Sequence, residues 1–342
     1  MHAMMRSVAV VGLACTVLAG CGTKIKVYQY PEFYTEDLKT IAIVPFKSMS
    51  DNQHSGAIVS ETLARALQQN NTYQVFAHND LKAMVDQKDL DVFSGTGDAS
   101  AAAAKFKPGG KVQALMVGDV STYTCSRSVQ HRSEPVYQYD RNGNRIPVGQ
   151  REYDYTRIEA TVAVSAALIR VSDGTQIHAT QMETGKAIEE GELPQRDQAE
   201  CLRAATEQAV AKLVATFAVV PVEVTVAKNA FCMATDQYDN KWNYVTRFTT
   251  DDTKAFVVVN LPLPCDRNPF KWTIVRENDR RDLAGCDFKW DRTWSAQNGK
   301  GFEFSPAKIA EMGQGPGNYM IKLYSGREVA LTQKFTIDAS KK

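Results

Sequence analysis

The chain has 342 residues, 44% of them hydrophobic and 23% charged, a balance typical of globular domains and a length sufficient for two of them. Its formal net charge is +1 and no basic tract exceeds a few residues, so it lacks the electrostatic footprint of a nucleic-acid binder. Beyond the N-terminal segment, no apolar run approaches the roughly 20 residues that a membrane helix needs.

In chain order, Arg6 supplies a positive start, and Ser7 to Ala19 form an apolar run. That run is too short to span a bilayer and suits the core of an export signal over residues 1–20. Leu18-Ala19-Gly20-Cys21 then resembles a bacterial lipobox. The resemblance implies cleavage before Cys21 and acylation of Cys21, whose thiolate is the nucleophile that accepts diacylglycerol. Several acyl chains would anchor firmly, each buried CH₂ contributing about 0.8 kcal/mol. The alternative is an ordinary cleaved signal with Cys21 there by chance. Gly22 and Thr23 follow, with no Asp, as in Gram-negative lipoproteins sorted to the outer membrane; such an anchor faces the periplasm.

Residues 21–38 read as a lipidated tether without helical periodicity. An αβ domain is expected over 39–219. Thr40 to Phe46 is a continuous apolar strand, buried on both faces. A helix follows from His54 or Ser55 to Gln69, with Ile58, Leu63, Ala66 and Leu67 inward and Asn70-Asn71 stopping it. Tyr73 to Phe76 is a short strand, and Asn79 is the expected N-cap of a helix through Met84 and Val85. "SGTGDAS" (94–100) reads as a turn-rich loop, followed by a short helix from Ala99 to Phe106 and a third strand at 112–124.

A long excursion over 125–155 contains Asn142-Gly143, a hairpin turn signal. Val162–Val171 and Gln176–Ile188 suggest a second hairpin. Gln195 to Phe217 is the clearest helix, with Leu202, Ala205, Ala209, Leu213 and Phe217 inward. After Pro221 strands follow one another with turn residues between them, among them "KAFVVVNL", "KWTIVREN", "GNYMIKLYSG" and "REVALTQKFTI". That spacing predicts an all-β, immunoglobulin-like sandwich over 220–342, with Trp272 in its core and Tyr319, Ile321 and Leu323 on one face. The fold class expected is therefore α+β, a mixed-sheet αβ domain followed by a β-sandwich.

"TIAIVPFKSMSD", "SGAIVSETLARALQQ", "YQVFAHNDLKAMV", "VQALMVGDVSTYT" and "VSAALIRVSDGTQIHATQMETG" occur in that order. This segment resembles the curli-assembly (CsgG-like) lipoprotein family. It is also similar to the LpoB-like activators of penicillin-binding proteins and to the N-terminal domain of TolB. The resemblance implies an outer-membrane lipoprotein with a compact αβ domain on the periplasmic side, and leaves the sandwich unexplained.

The curli family includes an oligomeric secretion pore, which inserts hairpins into the membrane. Lipid-facing strands need an apolar stripe of about 9–11 residues. Arg127, Arg132, Glu134, Arg145 and Arg151 interrupt both parities of the 125–155 excursion, and Gly185 breaks the next segment. The loop Lys47–Ser55, where a pore would be narrowed by aromatic residues, has none. The leading expectation is thus a non-enzymatic scaffold or regulator of envelope assembly, with the pore subunit and an envelope-polymer-binding module as alternatives. Tyr137, Tyr139, Arg141, Arg145, Arg151, Tyr153 and Tyr155 form the candidate partner surface, since Tyr and Arg are favoured at binding hot spots. The plainer reading is that they cover the hairpin and pair with Glu134, Glu152 and Asp154. The envelope partner stays unidentified, and self-assembly is open.

Of seven cysteines, Cys15 leaves with the signal and Cys21 takes lipid. Cys125, Cys201, Cys232, Cys265 and Cys286 remain in an oxidising compartment, and an odd count leaves one free or paired between chains. Cys125 with Cys201 and Cys265 with Cys286 are the favoured disulfides. No Cys/His cluster resembles a zinc site, no nucleophile elbow of GxSxG type occurs, and "GTGDAS" falls short of a phosphate-binding fingerprint. Asp51, His54 and Ser55 are neighbours in a loop, without the separation of roles that a triad requires. His178 is expected on a strand surface. Asp236, Asp239, Asp251 and Asp252 read as solvated loop residues sooner than as a calcium site. No catalytic residue, metal or cofactor is assigned.

Overall fold

The computed structural model describes residues 23–83, 111–239, 241–279 and 281–340. The chain divides into two compact units. One, the split unit, joins an N-terminal strand ending at Gln29 to Pro221–Lys342; the other, the inserted unit, is Tyr30–Val220.

The first strand, β1 (Thr23–Gln29), overturns the expected tether. Its residues alternate, burying Ile25 and Val27 in the core of the split unit. This period-2 pattern is what makes "TKIKVYQ" a strand.

The inserted unit is built on a seven-stranded mixed sheet. Its elements are β2 (Thr40–Ile43), β3 (Lys47–Ser48), α1 (Ser55–Asn70), β4 (Gln74–Phe76), α2 (His78–Lys82), β5 (Ala114–Tyr139), β6 (Arg145–Arg170), β7 (Gln176–Ala179), β8 (Glu183–Gly191) and α3 (Gln198–Phe217). The order is β4-β2-β5-β6-β7, with β3 added on β5 and β8 on β6. β2 runs parallel to both β4 and β5, and Ile41, Ala42 and Ile43 are buried as expected for a strand covered on both faces. On one face α1 and α3 enclose Ile41, Ile43, Met116, Val162, Leu63 and Leu213. On the other, Leu81 of α2 joins Ala42, Val44, Leu115 and Ile169.

Several expectations shift. α1 buries Val59, Leu63, Ala64 and Leu67, while Ile58 points outward. Asn71 ends the helix at φ 61°, its N–H donating to the Leu67 carbonyl. Asn79 is not a cap. α2 begins after Ala77, whose N–H donates to the Asp80 carboxylate at 2.9 Å, so the acidic residue one position on does the capping. The remainder of that expected helix, the 94–100 loop and the Ala99–Phe106 helix lie outside the described residues. α3 starts at a capping box: Asp197 accepts from the Glu200 N–H at 2.8 Å, and Glu200 accepts from the Asp197 N–H at 3.1 Å.

The largest departure concerns β5 and β6. The third strand and the excursion are one strand of 26 residues, and the return strand is another of 26. The expected strand Val162–Val171 is therefore the end of β6, which stops at Arg170, and the segment expected to pair with it as one strand is broken into β7 and β8, both hydrogen-bonded to β6.

The split unit contains β9 (Val220–Val226), β10 (Phe231–Tyr238), β11 (Lys241–Tyr244), β12 (Arg247–Thr249), β13 (Ala255–Val259), β14 (Pro269–Arg276), β15 (Asp282–Lys289), β16 (Lys300–Phe304), α4 (Pro306–Met312), β17 (Gly317–Ser325) and β18 (Glu328–Asp338). β1 pairs with β9; a four-stranded sheet runs β11-β10-β13-β16 and a five-stranded one β12-β18-β17-β14-β15. Both larger sheets feed one core, with Met233, Val257 and Phe304 from the first and Trp272, Ile274, Tyr319, Ile321 and Leu323 from the second. The unit is not all-β. Ser305 caps α4 by accepting from the Lys308 N–H, and Pro306 occupies its first turn. β12 also lies parallel to β18, an exception in an otherwise antiparallel sheet.

Candidate functional site

The β5–β6 hairpin positions the candidate partner surface. Near its base β6 also pairs with β8, from Thr156 to Val164. Beyond that point, residues 130–139 and 145–155 pair only with each other among the described residues. At about 3.4 Å per residue this two-stranded arm reaches roughly 30 Å. Its outer edges carry backbone groups that no described strand pairs.

The turn is held by Asp140, whose Oδ1 accepts the N–H groups of Asn142 and Asn144, each at 2.8 Å. These bonds, that from the Asn144 backbone foremost, lower the Asp140 pKa. Gly143 takes φ 81°, as the Asn-Gly signal requires.

The arm has two different faces. Gln130, Arg132 and Glu134 lie opposite Tyr155, Tyr153 and Arg151. Tyr155 Oη donates to Gln130 Oε1 at 2.5 Å, the Arg132 guanidinium lies 5.8 Å from the Tyr155 ring, and that of Arg151 lies 5.1 Å from the Tyr153 ring. A hydrogen bond to Glu134 raises the Tyr153 pKa. The other face carries Val129, His131 bonded to Asp154, Ser133 opposite Glu152, and then Tyr137 and Tyr139. A register shift between Val136 and Tyr137 sets Tyr137 opposite Pro147 and Tyr139 opposite Arg145, and the Arg145 guanidinium covers the Tyr137 ring at 3.9 Å. Tyr137 and Tyr139 therefore sit on one face and Tyr153 and Tyr155 on the other, so the seven residues are not a single patch. Arg141 is exposed in the turn.

Arg157, Glu159, Glu190 and Glu192, which sequence reasoning did not assign to the site, brace the base of the arm. Arg157 contacts Glu159 at 3.0 Å and Glu190 at 2.8 Å, and Arg151 contacts Glu192 at 2.6 Å. Hydrogen bonding to Glu159 raises the Arg157 pKa further. The acidic run Glu189–Glu192 was the available signal.

Cys21 lies outside the described residues. Cys125, Cys201, Cys232, Cys265 and Cys286 all stand as free thiols, so neither expected disulfide is formed in the structure. Cys125 and Cys201 pack against the same core, and desolvation raises both pKa values. Cys265 is fully buried, whereas Cys286 is exposed on β15 and its thiol donates to the Asp287 carbonyl. His178 is half-buried on β7, where it stacks on Phe33 at 4.8 Å and meets the Phe217 ring edge-on. Ser55 is buried with its hydroxyl 2.9 Å from that of Ser50. Asp252 accepts from the Thr249 N–H at 2.6 Å and Asp251 from Ser340. Among the described residues no group of three or more His, Cys, Asp or Glu is placed to hold a metal.

No family model and no curated protein sequence matches the chain. Solved structures with partial likeness include the PelC dodecamer from Paraburkholderia phytofirmans, at 14% identity and a TM-score of 0.30, covering 58% of this chain and 99% of that one. Lipoprotein GNA1162 from Neisseria meningitidis is another, at 14% identity and a TM-score of 0.28, covering 52% of this chain and 99% of that one. Likeness at this level carries no inference about function. Among the described residues no helix is long and apolar enough to cross a membrane.

Proposed function

We propose that this chain is a lipid-anchored protein of the outer membrane, facing the periplasm, that scaffolds or regulates envelope assembly by protein–protein contact and without catalysis. The observation that carries the reading is the β5–β6 arm. A two-stranded ribbon is only marginally stable alone, and unpaired edges invite another strand. Tyr and Arg side chains on both faces supply the residue types that anchor interfaces. The lipobox-like stretch ending at Cys21 supports the anchor, and the order of segments from Thr40 to Gly185 supports the CsgG-like and LpoB-like kinship. The immunoglobulin-like label for the split unit belongs to the same reading, supported by two sheets on one core.

The test places a photo-crosslinking residue at Tyr139 in intact cells. One defined envelope protein should be captured, and capture should fall at least several-fold when Tyr137 and Tyr139 become Ala. Mass analysis of the purified mature chain should show an acylated Cys21 as its first residue. Capture that is unaffected by those substitutions, or an unacylated start elsewhere, contradicts the proposal.

The pore is the second reading, favoured by one feature: an arm with two unpaired edges can join copies edge to edge into a ring. Against it stand the charges on both faces, each costing about 2–4 kcal/mol near a bilayer midplane. Conductance in planar bilayers would decide for the pore.

A further inference from the structure

The split unit holds a cleft of about 790 Å³, within the roughly 300–1,000 Å³ usual for small-ligand sites. The end of β9, three loop segments and one edge strand form it. β11, at the edge of the four-stranded sheet, contributes Trp242 and Tyr244. Two positions apart on a strand, they lie on the same face, their backbone positions about 7 Å apart. The loops contribute Asn229, Asn260 and Asn298, and Lys241 is the one charged residue in the lining among the described residues.

The walls are tied before any ligand arrives. The Asn260 N–H donates to the Ala230 carbonyl at 2.7 Å, and Ser295 Oγ donates to the Leu261 carbonyl at 3.0 Å. Trp242 is fixed too. Its ring packs against Gly301 of β16, where a Cβ would come within 2.2 Å of the indole, and it meets the Phe256 ring at 5.5 Å. Its Nε1–H is buried without an acceptor among the described residues.

We propose that this cleft binds a linear oligosaccharide, uncharged or weakly acidic. The reasoning is chemical. Sugar hydroxyls both donate and accept, and each Asn amide offers both functions in one side chain. The apolar face of a sugar ring lies flat on an aromatic ring, and two such rings in a row suit two successive sugars. No carboxylate lines the cleft, so nothing repels an acidic substituent, and Lys241 stands ready for one. The lining shares no residue with the arm, and either reading can fail without the other.

The test is calorimetric titration of the purified protein with N,N′,N″-triacetylchitotriose and with cellotriose. At least one should bind saturably. Tyr244→Ala and Asn260→Ala should each weaken binding about ten-fold, and Trp242→Ala at least as much. Tyr244 is half exposed, so its variant remains informative if the Trp242 variant fails to fold. Tyr238→Ala, on exposed strand outside the cleft, should bind as the parent does. Binding by neither trisaccharide, binding insensitive to Tyr244→Ala and Asn260→Ala, or saturable binding of a proline-rich peptide alone would each overturn the proposal.

Discussion

At the residue scale, Asn268 does unusual structural work. It is buried, yet its side chain imitates a strand partner for β1: Oδ1 accepts from the Tyr28 N–H at 2.7 Å, and Nδ2 donates to the Tyr28 carbonyl at 2.6 Å. Asn268→Ala removes both bonds and strands two backbone groups in a partly buried setting. We expect a loss of about 2–4 kcal/mol, read by urea denaturation. Cys265 gives a pH prediction. Burial pushes its thiol from 9.0 up to about 12, so folding favours the protonated form. Its contribution to stability is complete below the ordinary value and is lost as pH rises from about 9 through 12. Thermal melts between pH 8 and 11 should therefore fall less steeply for Cys265→Ala than for the parent. The exposed Cys286 should react with maleimide in the native protein at neutral pH while Cys265 stays protected.

At the scale of elements, β8 shows how closely strand and helix approach. A Cβ on Gly185 would lie 1.9 Å from the Ala205 carbonyl oxygen and 2.7 Å from the Ala209 nitrogen, both backbone atoms of α3. Gly185→Ala must push the helix off the sheet; a destabilisation of about 3 kcal/mol or more is expected in chemical denaturation. In the sequence this glycine looks like an interruption between charged residues. The contact that demands it is made by a helix twenty residues later, which is why period-2 reading misassigned it. The same contrast runs through the fold. β2, α1 and α3 were legible because burial imposes one period along each. The arm was legible as a hairpin from Asn142-Gly143, but its true length was hidden, since exposed β-ribbon carries no apolar alternation to count. β11, β12 and β16 escaped for a related reason, being short, and β10 and β15 because polar residues and Gly or Asp interrupt their alternation. Of the candidate surface, the residue types were readable, but the division into two faces depends on a register shift that only the paired strands reveal.

At the scale of the whole molecule, the chain enters one unit, leaves it for residues 30–220 and then returns. An isolated fragment spanning 221–342 lacks β1 and leaves Ile25 and Val27 absent from its core and Asn268 without its partner. Such a fragment should resist limited proteolysis poorly, and adding back a peptide of residues 23–29 in excess should restore protection. Residues 30–220, which keep their sheet and both long helices, should fold alone with cooperative thermal melting. Where β1 begins also fixes something about attachment. Only Gly22 separates Cys21 from the first residue of a strand woven into a folded body. Were fatty acids joined at residue 21, there would be no leash: the split unit would ride directly against the headgroups, its height above the lipid set by that strand and not by the slack of a flexible cord.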